Sequence, residues 1–142
     1  MSWKQKEIQF TSSNRGFILI TDFINSEVSE ISTYKIGILH LHIKHTSASL
    51  TINENADPTV REDLESHFNT FVPENAPYYK HTLEGPDDMP AHIKSSIIGN
   101  SISIPISNGR LALGTWQGIY LCEHRNSSHT RKIIATLNGE KY

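Results

Sequence analysis

Between Ile36 and His45, Leu39, Leu41 and Ile43 alternate with Ile38, His40 and His42. A period of two belongs to an extended strand, whose successive side chains point to opposite faces. Both faces are half apolar. The same period returns at Ile102, Ile104 and Ile106, and Asn108-Gly109, a strong hairpin signal, follows before Leu111 and Leu113 begin a return strand. Gly114 to Arg125 puts Gln117, Ile119, Leu121, Glu123 and Arg125 on one face, and Arg131 to Leu137 supplies a last strand. The C-terminal third is therefore expected to be a β-meander.

The first half mixes both periods. Trp3 to Phe10 and Gly16 to Ile20 read as strands of an opening hairpin, with Asn14 suited to a left-handed turn position. Ile24, Val28 and Ile31 recur at helical spacing after Thr21 and Asp22, either of which can cap a short amphipathic helix. A strand over Ser49 to Asn53 runs into Asp57-Pro58, an N-cap followed by a first-turn proline. Val60, Leu64, Phe68 and Phe71 then form the buried stripe of a second helix. Pro73 to Met89 is irregular and long enough to suggest a functional loop. Pro90 starts a short helix that Gly99 ends. No repeat or linker divides the chain, so residues 1–142 are expected to form one α+β domain, mainly β and antiparallel, interrupted by a few helices.

At 142 residues the chain can bury a core without a structural metal, so any ion it holds is expected to be functional. The formal charge of −2 and the scattering of thirteen Lys and Arg residues give no footprint for nucleic acid. Cys122 is the only cysteine, which rules out an intrachain disulfide and suggests a reducing compartment. Asn126-Ser127-Ser128 then reads as a chance glycosylation match. Neither a signal peptide nor a stretch of about 20 apolar residues is visible. The expectation is a soluble cytoplasmic protein without membrane or nucleic-acid partners.

His45, His81 and His92 are the candidate metal ligands, with surface or hydrogen-bonded core histidines as the alternative reading. Each is expected at an element end or in a loop beside acids or hydroxyls, and neutral imidazole is a common ligand of zinc-like ions. The three follow no compact ligand motif. His40 and His42 share a strand face and form a competing pair, weighed lower as a partly buried polar stripe, while His67 on a helix and His129 in a turn count for less. Asp57 is favoured as a helix cap. Glu54 and Asp88, which adjoin His45 and His92 in sequence, are the candidates for proton transfer. Gln117, Glu123 and Arg125 can bind a polar ligand from one strand face, and Arg125 with Arg131 can hold a phosphate or carboxylate. Thr46 and Ser47 complete the substrate-side candidates. No nucleophile elbow accompanies Ser47 or Ser49, Cys122 and His124 are poorly spaced for a thiol enzyme, and no phosphate-binding glycine loop exists.

The blocks His45-Thr-Ser-Ala-Ser-Leu-Thr-Ile-Asn-Glu-Asn-Ala-Asp57-Pro58 and Gly109-Arg-Leu-Ala-Leu-Gly114-Thr-Trp-Gln117-Gly-Ile-Tyr-Leu, with the stretch from His81 to Asp88-Met-Pro-Ala-His92, resemble the YjbQ-like family over nearly the whole chain. The resemblance implies a β-sandwich, jelly-roll-like, with flanking helices, a homotrimer, and a cleft in which histidines hold a divalent metal ion. Zinc is the expected ion, or magnesium with a phosphorylated substrate. Carried over by position, the ligands are His45, His81 and His92, and Glu54, Asp57, Asp88, Gln117, Glu123, Arg125 and Arg131 line the pocket. The family also has the label of secondary thiamine-phosphate synthase. Two functions follow as expectations: a metal-dependent enzyme acting on a small anionic or phosphorylated metabolite, with thiamine-phosphate synthesis as one such transferase activity, or a non-catalytic trimer that binds metal and metabolite.

Overall fold

The computed structural model describes residues 1–142. Its strands are β1 (Ser2–Thr11), β2 (Gly16–Leu19), β3 (Tyr34–Ile43), β4 (Ala48–Glu54), β5 (Ser101–Ser107), β6 (Arg110–Leu111), β7 (Gln117–Glu123) and β8 (Thr130–Lys141). The helices are α1 (Thr21–Glu27), followed by a 3₁₀ turn at Ser29–Thr33, α2 (Pro58–Phe71) and α3 (Asp88–Ile98). Two antiparallel sheets result, one in the order β1-β8-β3-β5-β6 and one in the order β2-β7-β4. The α+β, mainly antiparallel architecture expected from the sequence is the one observed.

The core lies between the sheets. Leu39, Leu41 and Ile43 of β3, Ile133, Ala135 and Leu137 of β8, and Ile119 and Leu121 of β7 are all essentially inaccessible. Ile24, Val28 and Ile31 close one side of this core, but not as one helix: Ile24 lies in α1, Val28 is its C-cap and Ile31 lies in the 3₁₀ turn that follows. A smaller cluster of Phe17, Tyr120 and Cys122 forms on the other face of the three-stranded sheet, where Leu64 and Phe68 of α2 cover it. The stripe on α2 is narrower than the sequence suggests: none of its residues is fully buried, and Phe71 points outward.

Two local pairings differ from expectation. The opening strands form no hairpin, because β1 pairs with β8 and β2 pairs with β7. Asn14 is not left-handed; Gly16 takes the positive φ at that corner. The C-terminal third is no meander either. β5 and β6 do form the hairpin at Asn108-Gly109, with φ of 51° and 74°, but β7 and β8 belong to different sheets. Periodicity reports that a segment is a strand and which residues share a face; it does not report the partner strand.

The caps also sort themselves. Asp57 accepts the Thr59 N–H at 2.9 Å with Pro58 next in line, the predicted N-cap. Ile20 is the N-cap of α1 instead of Thr21 or Asp22, and the Thr21 hydroxyl accepts the Ile119 N–H at 2.9 Å. Helix α3 starts at Asp88, two residues before the expected Pro90, and Gly99 ends it with φ of 104°. A proline is tolerated there because first-turn N–H groups lack intrahelical acceptors in any case.

Candidate metal centre

One end of the sandwich gathers the turn after β3, the start of β4, the end of β7 and the start of β8. Helix α3 is tied to it by Ser95 Oγ, which donates to the Ala48 carbonyl at 2.9 Å. The loop between α2 and α3 brings His81 back over the first turn of α3. His81 Nε2 lies 2.6 Å from Asp88 Oδ2, and His92 Nε2 lies 3.1 Å from the same oxygen. The three ligand-type atoms all fall within 4.8 Å of one another. Asp88 and His92 are one helical turn apart, so α3 itself sets their spacing.

Hydrogen bonds around the cluster fix its orientation. His92 Nδ1 donates to the Thr46 carbonyl at 2.9 Å, which turns Nε2 toward Asp88. A neutral imidazole donating from Nδ1 presents a lone pair at Nε2, and a lone pair facing a carboxylate oxygen is repulsive. A proton or a cation between them removes that conflict. Ligating histidines commonly donate their second nitrogen to a carbonyl in this way. Zinc ligands at about 2.0–2.2 Å in a tetrahedron stand on the order of 3.3 Å apart; the 3.1 Å between His92 Nε2 and Asp88 Oδ2 is close to that, while the 2.6 Å between His81 Nε2 and Asp88 Oδ2 is a direct hydrogen bond that would have to widen to admit an ion.

Asp88 is 2 % exposed and doubly held. Its Oδ1 accepts from Arg125 Nη1 at 2.8 Å, leaving Oδ2 to the histidines. Burial pushes its carboxyl up, but the hydrogen bond with His81 and the Arg125 charge outweigh this, so Asp88 stays below the usual carboxylate range. It is a ligand-type anion here more than a proton donor. Arg125 also donates from Nε to Asp87 Oδ2 at 2.9 Å and from Nη2 to the Glu84 carbonyl at 3.1 Å, and Asn126 N–H joins Asp87 at 2.9 Å. Arg125 thereby pins the loop and the helix start together.

The other candidates divide. His45 stands two residues beyond β3 and lines the cavity that also holds His92, Thr46, Ser96 and Asn100, yet its Nε2 accepts the Lys132 N–H at 2.8 Å and lies outside the three-atom cluster. Burial, aided by the charges of Arg131 and Lys132, lowers its pKa. Glu123 is buried against Arg131, an ion pair that ties β7 to β8 across the sheets. Ser12 Oγ donates to Glu123 at 2.7 Å, and Arg131 donates to Ser47 Oγ at 3.1 Å and to the Ser47 carbonyl at 3.2 Å. The face expected to be a polar ligand surface is core, because Glu123 continues the buried line of Ile119 and Leu121.

Glu54 and Gln117 lie at the far end of β4 and β7. They pair with each other, while Ala48 pairs with Glu123, and six residues of strand at ~3.3 Å each separate the two ends by about 20 Å. Glu54 accepts the Asp57 N–H at 3.3 Å and Gln117 accepts the Gly114 N–H at 2.8 Å. Neither reaches the histidine cluster of its own chain. The lower-weighted histidines stay apart from it: His40 lies on the outer face of the large sheet beside Trp3, His67 stacks on Phe71, and His129 meets the Ser127 carbonyl. A buried bond of 2.8 Å joins Ser49 Oγ to His124 Nε2 on the α-helical side of β7, a pairing that strand periodicity does not anticipate.

Residues 6–140 match the family model described as UPF0047 protein YjbQ-like. The chain belongs to the YjbQ family. It is 56 % identical to the UPF0047 protein YjbQ of Salmonella typhimurium over 138 residues, covering 97 % of this chain and 99 % of that protein. The Escherichia coli O157:H7 protein of the same name is 52 % identical over the same shares. Among solved structures, a YjbQ/UPF0047 family protein from Clostridium acetobutylicum superposes with a TM-score of 0.83 at 40 % identity, over 94 % of this chain and 99 % of that one. A Sulfolobus solfataricus protein reaches 0.82 at 26 % identity, over 98 % and 100 %. The YjbQ-family sandwich thus carries the histidine cluster at one end of its sheets, and no helix in it is long and apolar enough to cross a membrane.

Proposed function

We propose that this YjbQ-family chain is a metal-dependent enzyme acting on a small metabolite, with His81, Asp88 and His92 as the ligands of one divalent cation. The observation that supports it most is the pair of Nε2 atoms converging on one carboxylate oxygen, with the His92 tautomer fixed by the Thr46 carbonyl. Two imidazoles and a carboxylate suit zinc best among the common divalent ions. When bound, the ion supplies Lewis acidity toward a substrate oxygen. Arg125 holds Asp88 in its ligating rotamer and Thr46 aligns His92. His45, with its proton on Nδ1 and in the same cavity as His92, is the group of this chain we assign to pass a proton to a bound substrate.

The arginines have a different role from the one their sequence positions suggest. Arg125 and Arg131 are engaged by Asp87, Asp88 and Glu123, so the charge of an anionic or phosphorylated substrate would be met chiefly by the ion. Thiamine-phosphate synthesis is the specific reaction we propose within this class, on the strength of the family resemblance. A homotrimer is the proposed assembly. The outer face of the large sheet supports it: Trp3, Ile36 and Ile38 are each more than half exposed there, beside Asn138, whose Oδ1 is buried without a hydrogen-bond partner.

Metal analysis of the purified protein is the test. One equivalent of zinc per chain is expected for wild type, and His81→Ala and His92→Ala are each expected to lose most of it. Unchanged metal content in both variants sinks the proposal. Multiple turnover of the two thiamine precursors by wild type with zinc, lost in His92→Ala, would exclude the binding-only alternative.

A further inference from the structure

Two cavities flank the cluster, one on each histidine. His92 borders a cavity of about 370 Å³ and His81 borders one of about 250 Å³, with their ring centroids 5.4 Å apart. The linings differ in kind. The first has no hydrophobic residue in its wall, with His45, Thr46, Ser96 and Asn100 among its lining, and includes neither Lys nor Arg. The second is walled by Ala76, Tyr79, Pro86 and Met89, with Asn75 and Thr82 as its polar groups.

The hydrogen bonds of the polar cavity narrow what it accepts. Lys132 N–H occupies His45 Nε2, so a neutral His45 offers a donor at Nδ1. Ser96 Oγ donates to the His92 carbonyl at 3.0 Å and Ser95 Oγ to the Ala48 carbonyl, so both hydroxyls have only acceptor capacity left. The cavity also sits at the last turn of α3, where helix carbonyls carry partial negative charge. Donors and acceptors together, without a cationic side chain, suit a hydroxyl-bearing group better than a bare anion. The other cavity, open to solvent and lined by Asn75, His81 and Thr82 as well as by its apolar walls, exceeds the roughly 150 Å³ that admits a benzene ring. The Tyr79 hydroxyl donates to the Pro73 carbonyl at 2.8 Å, which holds that ring as a fixed wall.

We infer that the site also takes a ligand made of a planar ring joined to a hydroxyl-bearing group, as in a nucleoside, lying across the cluster with the ring on the His81 side and the hydroxyls on the His92 side. The inference rests on the metal-site reading for what lies between the two halves. It adds to the phosphorylated precursors proposed above a second ligand class for the same site, a bipartite molecule apolar at one end and hydroxylated at the other.

Amide-detected NMR titration of zinc-supplemented wild type with adenosine, uridine, ribose and adenine tests it. Adenosine or uridine is expected to shift amides of both linings, Thr46 and Asn100 on one side and Thr82 and Met89 on the other, and to bind at least about tenfold more tightly than ribose or adenine. Ribose is expected to shift only the first set and adenine only the second. Asn100→Ala should weaken nucleoside and ribose binding and spare adenine, and Met89→Ala should do the reverse. Nucleosides that bind no more tightly than the fragments, or that leave either lining unmoved, overturn the inference. Zinc titration of the same samples separates the two readings: zinc bound without nucleoside shifts removes this inference alone, and two-sided nucleoside shifts without zinc binding remove the metal centre and leave the bipartite ligand standing.

Discussion

Asp88 shows how much of the site depends on single atoms. Its Oδ1 goes to Arg125 and its Oδ2 to the two histidines, so Asp88→Asn, nearly the same in shape, replaces one acceptor by a donor. Zinc affinity is expected to fall by at least about 10-fold while the melting temperature changes little, measured by calorimetric titration and thermal unfolding. Arg125→Lys tests the support of that carboxylate: it keeps the charge but not the fork that reaches Asp87 and Asp88 together. Its zinc affinity should drop by an amount between those of wild type and Asp88→Asn. An Arg125→Lys variant that binds zinc like wild type would remove the positioning role.

Buried polar residues away from the cluster predict acid sensitivity. Burial pushes the His124 imidazole down to about 3, against 6.5 for the free side chain. Between those values the unfolded chain takes up a proton that the folded chain refuses, so folding stability rises with pH by up to ~1.4 kcal/mol per pH unit. Glu123 acts in the same direction. Burial raises its carboxyl, but Arg131 and Ser12 hold it below the usual 4.5, so its contribution is present above that value and is lost as the pH falls through the folded pKa. Urea midpoints are expected to fall between pH 7 and pH 5, and His124→Gln should flatten that slope. An unchanged slope would show that His124 is not the group responsible.

At the scale of elements, the start of α3 decides what is legible in the sequence. Reading Pro90 as the first helical residue leaves Asp88 in a loop, which hides its one-turn relation to His92. With the helix beginning at Asp88, the i, i+4 pair is visible in the sequence. The strands and their buried faces are legible because periodicity encodes them, as in Leu39, Leu41 and Ile43. Glu54 is not at the site because proximity in sequence to His45 says nothing once β4 runs about 20 Å away from the turn. Glu123 reads as surface because a charged residue has a low prior for burial, and its partner Arg131 lies on a strand of the other sheet. Removing one member of that pair leaves a buried charge, so Glu123→Gln should cost about 3–5 kcal/mol, seen as a lower denaturation midpoint. Where β3 meets β8, a Cβ on Gly139 would come within 2.2 Å of the Ile36 carbonyl oxygen. Gly139→Ala should therefore cost about 1–3 kcal/mol through backbone displacement.

On the scale of the whole molecule, two antiparallel sheets act as a frame that brings four chain segments to one end, and the loop before α3 supplies the remaining histidine. Arg125 and Arg131 at that end are satisfied by their own ion pairs, which leaves the part-exposed His81 and His92 as the groups proposed to meet a ligand. Assembly adds a second question for the outer sheet face. If Trp3 and Ile38 mediate the proposed trimer, light scattering should give three chains per particle for wild type and smaller particles for Trp3→Glu with Ile38→Glu. Crystals grown with zinc, with diffraction data collected on both sides of the zinc absorption edge, should show one anomalous peak per chain at about 2.0–2.2 Å from His81 Nε2, Asp88 Oδ2 and His92 Nε2. No peak there, or a peak at His40 and His42 alone, would contradict the account.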